Sequence, residues 1–451
     1  MGGLRALMVA SKLGGTTLTT FGDHASMKKV ANMLGLSYTK SILPEYMKQL
    51  KQGATRDEAL RFGLGINEMA GSMTRFGDAD IVSSATKSGR FNARMQAFAA
   101  TTMKLSGLNA VTAGAKRALN LVHMNKLAEM TRKTDWKDLG ADDLKILQGN
   151  GITERDWQLW QQLEPSKRED GTAVLSQNDF FNAPDDVIKQ FLPLDKQDNA
   201  NALADFRYKA AMKYQTHIFN EESVAIIEAG VRERSIINLG EAGTIQGELG
   251  RTLFQFKGFP LAYMFRIGHR AFAQGDIKSR VTFLASLLAY QTLAGALIVQ
   301  TQNLANGKNP EPVFTIDFFG KSLLKGGGLS FLGDIMSALS DPTGRSASDF
   351  ISGPLLGQSM KLGMLLTGMG NNIIEGKEST RMMEVANTLK SNIPLQNLWY
   401  SKLVVDRMLY SKMQNMIDPD YLPRTQQRLE NLGNSYWWDS VSYTHLRAHE
   451  T

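Results

Sequence analysis

One stretch of the chain constrains its fold more than any other. Residues 281–307 contain no charged side chain. The first twenty, VTFLASLLAYQTLAGALIVQ, would extend about 30 Å as an α-helix, which matches the hydrocarbon core of a bilayer. Alanine, glycine, glutamine and threonine make the segment only moderately apolar. Two interpretations therefore stay open: a central helix buried in a large α-helical fold, and a helix that inserts conditionally into a membrane.

The composition of the 451-residue chain excludes several functional classes. A mean hydropathy of −0.23 excludes a transporter with many membrane spans. The absence of cysteine excludes disulfide frameworks, cysteine-ligated zinc, iron–sulfur clusters and cysteine nucleophiles. With 43% hydrophobic and 21% charged residues, the chain is too apolar to be disordered throughout.

No catalytic or metal-binding motif emerges from the spacing of reactive residues. His24, His123, His217 and His269 do not occur at the HExxH spacing of a zinc site. Three glycines at 326–328 lack the Lys-Ser/Thr of a phosphate-binding loop and are expected to form a flexible turn. The sequence therefore predicts a protein that is not an enzyme, with no metal and no cofactor.

Charge is distributed along the chain in blocks of opposite sign. Residues 1–150 carry 21 basic and 12 acidic side chains, whereas residues 151–250 carry 10 basic and 17 acidic ones. These blocks favour solvated helix faces that pair with one another, and a surface facing DNA or an anionic membrane is the alternative. Glu221 and Glu222 have no partner base in the sequence and are expected to be solvated carboxylates on a helix surface.

Helical spacing of apolar residues recurs almost throughout and predicts an all-α fold, an elongated multi-helix array with long helices and little or no sheet. Long helices are expected at residues 88–104, 109–133 and 199–229. Thr153 is expected to cap a helix that contains two tryptophans. The only strand candidate, a weak one, is residues 313–319.

Changes in composition divide the chain into successive regions. Residues 165–198 are polar and acidic and contain three prolines, which is typical of a linker. We therefore predict a basic helical region at 1–164, the acidic linker at 165–198, a long-helix region at 199–310, and glycine-rich loops with C-terminal helices at 311–440.

The final residues, 441–451, read VSYTHLRAHET and resemble the translation of a sequencing adapter. Such strings occur at the ends of metagenomic reading frames, so these residues are excluded from fold prediction as an expression scar would be. We treat the chain as a fragment of a longer protein.

A helix rich in basic and aromatic residues precedes the charge-free segment. Its basic side chains are expected to form one contact surface, toward anionic lipid, DNA or the acidic block at 151–250. Leucines of the charge-free segment would extend this surface. The candidate membrane or partner contacts are Arg251, Phe254, Phe256, Lys257, Phe259, Arg266, Arg270, Leu284, Leu287, Leu288, Leu293 and Leu297.

Four stretches resemble, in order and spacing, the C-terminal region of large internal virion, or DNA-ejection, proteins of short-tailed bacteriophages. They are LMVASKLGGTTLTTFGDHAS at 7–26, RTLFQFKGFPLAYMFR at 251–266, GGGLSFLGD at 326–334 and SGP at 352–354. The same region also occurs at the C-terminal end of giant multi-domain phage polypeptides. The resemblance implies a mostly helical region of the virion interior that, after ejection, helps to form a conduit for DNA across the cell envelope. No transglycosylase motif occurs here, so that activity of the family's N-terminal part is not carried over.

The sequence and the resemblance together predict a structural virion region that takes part in DNA ejection as a membrane-associating channel component. Expected partners are other virion proteins, further copies of the chain, the host membrane and non-specific DNA. The expected locations are the virion interior and, after ejection, the host envelope. One alternative is a structural or DNA-packing protein of the capsid interior, with residues 281–300 a plain core helix. Another is an integral pore or toxin-like protein.

Overall fold

The computed structural model describes residues 2–51, 53–64, 87–237, 241, 244–253, 258–327, 390, 393–417, 420–431 and 435. These residues are 76% helical, which confirms the predicted all-α multi-helix array. The only sheet among them is an antiparallel pair of two-residue strands, β1 (Ser166–Lys167) and β2 (Ala173–Val174). The strand candidate at 313–319 is wrong, because a helix begins at Ile316 with the Thr315 hydroxyl as its cap.

The helices follow one another through most of the described chain. In order, they are α1 (Gly2–Lys12), α2 (Phe21–Met33), α3 (Leu43–Lys51), α4 (Gly53–Arg61), α5 (Lys87–Ser106), α6 (Leu108–Lys133), α7 (Ala141–Gly149), α8 (Glu154–Gln162), α9 (Gln177–Phe181), α10 (Asp185–Lys189), α11 (Ala200–Ala225), α12 (Val231–Ile237), α13 (Ile245–Leu253), α14 (Gly258–Phe272), α15 (Ile277–Ala305), α16 (Ile316–Lys325), α17 (Lys402–Val405), α18 (Ser411–Ile417) and α19 (Tyr421–Asn431). Short 3₁₀ or π turns lie at Leu13–Thr20, Tyr38–Ile42, Trp136–Asp138, Leu194–Lys196 and Asp406–Tyr410.

Local sequence explains where several of these helices begin. Thr153 starts α8 with a capping box, in which the Asp156 carboxylate accepts from the Thr153 backbone N–H at 2.8 Å. Asp276 caps α15 by accepting a hydrogen bond from the backbone N–H of Ser279 at 3.0 Å. That helix ends before Gly307, whose positive φ of 74° suits glycine.

The largest hydrophobic core lies around α6, α8 and α11. Trp157, Trp160 and Tyr214 are all but fully buried in it, and the Trp160 and Tyr214 rings meet edge to face at 5.1 Å. A second cluster joins α2 and α3 to α6, and a smaller one joins α1 to α5. The long helix α6 contributes to the first two clusters, which accounts for its burial on several sides.

Residues 165–198 are not the linker that their composition predicts. Val174, Leu175 and Phe180 from this segment are buried in the main core beside Tyr214, whose hydroxyl donates to the Leu175 carbonyl. The few apolar residues that the segment contains are enough to fasten it to the core. Its polar residues occupy the turns between its short elements.

One arginine of this segment is held by two carboxylates from other helices. The Arg168 guanidinium lies 2.9 Å from Glu45 on α3 and 2.9 Å from Glu58 on α4. All three side chains are more than nine-tenths buried. This buried triad joins the β1–β2 hairpin to α3 and α4.

Candidate membrane-binding surface

Among the described residues, α15 is the one helix long and apolar enough to cross a membrane by length and composition. It has 29 residues, and 33% of its most apolar window is buried. A helix in the centre of a soluble core would be covered on most sides. The structure therefore presents α15 as a partly covered apolar helix.

The two faces of α15 are both apolar. Its inner face carries Phe283, Leu287, Ala294 and Ile298, which are buried against neighbouring helices. The exposed side carries residues four apart, each about 40° around the helix from the one before, so that the row winds slowly around α15. We call them the outer stripe: Val281, Ala285, Ala289, Leu293 and Leu297.

Solvent contacts the outer stripe directly. Leu293 is 66% exposed, Leu297 61% and Val281 59%. A surface helix of a soluble protein normally turns polar or charged residues outward. Contiguous exposed apolar surface of this kind marks a membrane-binding or protein-binding site.

The predicted contact leucines divide between these two faces. Leu284, Leu293 and Leu297 are exposed, Leu288 is half-buried, and Leu287 is buried against the body of the protein. Leu287 is therefore covered in this conformation, and its assignment as a contact residue stays a prediction for the inserted helix. Because α15 is apolar all round, its sequence gives no indication of which side faces outward.

Helix α16 packs closely along the C-terminal half of α15. A Cβ atom on Gly295 would overlap the backbone oxygen of Ser322, and one on Gly326 would overlap that of Gln291. Glycines at such crossings let two backbones approach, as in membrane helix pairs. Glu311, in the loop between the helices, pairs with Lys321 at 2.9 Å and fixes the hairpin.

The hairpin adds further exposed apolar side chains. Phe314 is fully exposed, Ile316 is 92% exposed and Phe319 is 59% exposed. All three lie in the loop that leads into α16 or in its first turn. Exposed apolar side chains therefore occur on α16 as well as on α15.

Two lysines of α2 hold the N-terminal half of α15. Lys29 donates to the Ser286 hydroxyl at 2.6 Å and lies 4.9 Å from the centre of the Phe283 ring. Lys28 lies 4.4 Å from the centre of the Tyr290 ring. Burial lowers the pKa of Lys29. Cation–π contacts near a surface contribute only about 0.5–1 kcal/mol each, so this attachment is modest.

The arginines of the basic-aromatic helix face the protein, not solvent. Arg270 on α14 pairs with Glu221 on α11, and Arg266 donates to the Ser223 carbonyl at 2.9 Å. Arg251 on α13 lies 3.9 Å from Glu248. The expected partners of these arginines are anionic lipid, DNA or the acidic block at 151–250. The observed contacts are with the acidic block.

The remaining members of the predicted contact set lie elsewhere. Phe259 is partly exposed on α14, at 37%. Phe254, Phe256 and Lys257 fall outside the described residues. The described residues therefore do not form a single surface that combines all the basic and aromatic side chains.

The two adjacent glutamates of α11 are buried, contrary to expectation. Glu221 is 1% exposed and pairs with Arg270, while Glu222 is 3% exposed and lies 3.3 Å from Lys116. Asn120 also donates to Glu222. Their partners lie on α6 and α14, distant in sequence, so local spacing gave no sign of this pairing.

Two buried histidines lie near these ion pairs. The ring centroids of His123 on α6 and His217 on α11 are 5.1 Å apart. Burial lowers the pKa of His217 to about 4 and lowers the pKa of His123 well below its usual range. Glu221 and Arg270 act on His217 with opposite effects, and Lys126 further lowers the pKa of His123. Neither ring nitrogen of His217 has a hydrogen-bond partner in the part of the chain described.

We expect the free energy of unfolding to decrease as pH falls from about 6.5 to about 4. The unfolded chain takes up protons near the ordinary histidine pKa of 6.5, whereas burial keeps His217 neutral until pH approaches 4. This contribution is fully present above pH 6.5 and is lost across that window. It amounts to about 3 kcal/mol for His217. Urea unfolding at pH values across the window measures it.

His217→Phe serves as the comparison for this experiment. It replaces the ring with an apolar one that cannot be protonated, so the variant should lose less stability on acidification than the parent protein. An equal loss in both proteins would show that His217 does not contribute to the pH dependence.

Titratable residues in the described part of the chain do not assemble into a metal site. No group of three or more histidine, aspartate or glutamate side chains there is arranged to hold a metal ion. Burial, which lowers the pKa of both rings, keeps His123 and His217 neutral near pH 7.

Comparisons with known proteins identify no relative. No protein-family model matches the chain, and no curated protein and no solved structure is similar to it. The resemblance to phage ejection proteins therefore stays a prediction from the sequence.

Proposed function

We propose that this chain is a non-enzymatic structural component of a phage DNA-ejection apparatus that associates with a membrane through α15. The observation that carries the proposal is the outer stripe, an exposed apolar row on a helix of membrane-spanning length. Insertion would remove that row from water. Because residues 281 to 305 carry no charge, insertion would also place no charged side chain of this segment in the hydrocarbon core.

The hydroxyl side chains of α15 oppose its transfer into lipid only weakly. Ser286 donates to the Phe283 carbonyl at 2.9 Å, and Thr292 donates to the Leu288 carbonyl at 2.9 Å. Thr301 makes the same kind of bond to Leu297. Because these bonds lie within the helix, they persist when the neighbouring helices separate, so the hydroxyl donors stay satisfied in hydrocarbon.

Gln291 is a buried side chain of α15 that would need a new arrangement. Its amide oxygen accepts a hydrogen bond from the Tyr263 hydroxyl of α14 at 2.9 Å. Moving α15 away from α14 breaks this bond, and a polar group left unpaired in lipid is unfavourable. Gln291 would therefore favour insertion together with α14 or pairing with another helix in the membrane.

The role in DNA ejection is supported by the four stretches that resemble phage ejection proteins. The chain also lacks cysteine, which suits passage between reducing and oxidising compartments. The partners and locations given by the resemblance belong to this proposal: other virion proteins, further copies of the chain, the virion interior and then the host envelope.

A structural or DNA-packing role inside the capsid is the second candidate. It is favoured by the packing of the inner face of α15, where Lys29 bonds Ser286 and Gly295 fits closely against α16. In that case another virion protein, and not lipid, would cover the outer stripe.

Flotation of the whole chain with phospholipid vesicles separates these functions. The proposal expects a protein that is soluble without detergent and floats with vesicles after mild acid or partial unfolding. Failure to float under every such condition would favour the capsid-interior function. A requirement for detergent at all times would instead indicate an integral membrane protein.

A further inference from the structure

Helix α5 has an unusual distribution of charge. Its 20 residues include four basic side chains and no acidic one. Its inner side contributes Ala99 and Met103 to the core with α1, and the Thr102 hydroxyl donates to the Ala10 carbonyl at 3.3 Å. A neighbouring side of α5 is exposed to solvent, and at its N-terminal end the Phe91 ring lies against Gly3 of α1, where an added Cβ would come within 2.8 Å of the ring.

The solvent-facing side of α5 carries a regular apolar row. Phe91 is 43% exposed, Phe98 43% and Leu105 46%. Residues seven apart lie nearly above one another on a helix, so the three form a line about 21 Å long. We call it the α5 row.

Basic side chains occupy the rest of the exposed side of α5. Arg90, Arg94 and Lys104 are exposed, and none of them forms an ion pair within the described part of the chain. By helical geometry, Arg94 lies next to the line through Phe91 and Phe98. The α5 row therefore has a cationic flank that no acidic side chain in the described part of the chain neutralises.

We propose that this side of α5 is a second lipid contact, which binds the surface of an anionic bilayer with the helix parallel to the membrane plane. A helix with phenylalanine and leucine on one strip and lysine or arginine beside it is typical of interfacial binding. The proposal extends the proposed membrane association, but it stands on residues that are separate from α15.

Charge and shape favour lipid over other occupants of this surface. Duplex DNA would place phosphates against an apolar line, and Leu105 has no ring to stack on an unpaired base. A second copy of the chain would bring like charges together. An anionic bilayer offers acyl chains to the α5 row and headgroup phosphates to its cationic flank.

The experiment measures this contact in the absence of α15 insertion. Its background is the whole chain with Leu293→Arg and Leu297→Arg, which introduce charge into the outer stripe. Binding is measured with vesicles of phosphatidylcholine, with and without phosphatidylglycerol, at several salt concentrations. The test variant adds Arg90→Gln, Arg94→Gln and Lys104→Gln. A matched control with the same change in net charge carries Lys133→Gln, Lys137→Gln and Lys145→Gln, all at exposed positions.

The background protein should bind only vesicles that contain phosphatidylglycerol, and its binding should weaken as salt rises. The test variant should bind at least about tenfold more weakly, whereas the control should keep its affinity. Phe98→Ser should also weaken binding with no change in net charge. Circular dichroism establishes that each variant is folded.

Equal binding by the test variant and the control would overturn the α5 proposal. Loss of duplex DNA binding in the test variant, with vesicle binding unchanged, would overturn it in favour of nucleic acid. The α15 function is judged separately, by salt-resistant flotation of the chain with native leucines. Each proposal can therefore fail while the other stands.

Discussion

Replacing Leu293 and Leu297 with arginine is expected to abolish bilayer insertion and leave the soluble fold intact. Both side chains are largely exposed, at 66% and 61%, so the change should alter the free energy of unfolding by no more than about 0.5 kcal/mol. In lipid, each arginine near the centre of a helix costs about 2.5–3.5 kcal/mol. The two together should weaken insertion by roughly a thousandfold or more.

Vesicle flotation in high salt measures this effect, and urea unfolding tests the fold. The matched control is Leu194→Arg with Ile245→Arg, since these residues are 86% and 84% exposed and lie outside α15. The control introduces the same two charges and should float like the parent protein. Flotation of the Leu293 and Leu297 variant at the level of the control would show that the outer stripe does not enter lipid.

Replacing Arg168 with methionine is expected to have the largest effect on stability. The change removes the cation that lies 2.9 Å from Glu45 and 2.9 Å from Glu58, and leaves both carboxylates buried without it. Removing one partner from a buried ion pair costs about 3–5 kcal/mol. The midpoint of urea unfolding at neutral pH should decrease accordingly.

Two comparisons make this result specific to the triad. Arg132→Met changes an exposed arginine of α6 and should leave the midpoint close to that of the parent protein. Adding Glu45→Gln and Glu58→Gln to Arg168→Met neutralises the buried carboxylates and should recover part of the loss. If Arg168→Met unfolds at the parental urea concentration, the triad does not stabilise the fold.

Regular helical spacing was sufficient to predict much of the fold. It located the long helices α5, α6 and α11 to within a few residues, and the Thr153 signal identified the start of α8. The prediction of a linker at residues 165–198 is wrong because it is based on the average composition of the segment, which is polar and acidic. Burial there depends on individual residues such as Leu175 and Phe180, which an average over the segment does not reveal.

The sequence predicts part of the candidate surface, namely the apolar helix, but not the side of that helix that faces outward. The length and apolar character of α15 are properties of a continuous segment, and the sequence shows them directly. The side that faces outward depends on where α2 and α16 pack. The pairing of Arg270 with Glu221, and of His123 with His217, joins residues far apart in the chain, where spacing motifs give no information.

The position of α15 in a protein–lipid complex tests membrane association most directly. The chain has no cysteine, so Leu293→Cys introduces a single site for an environment-sensitive fluorophore. On addition of anionic vesicles after mild acid or partial unfolding, we expect a blue-shifted emission that is quenched by groups attached to the acyl chains. The same label at Leu194→Cys should stay in water. A label at residue 293 that remains in water while the protein floats with vesicles would contradict insertion of α15.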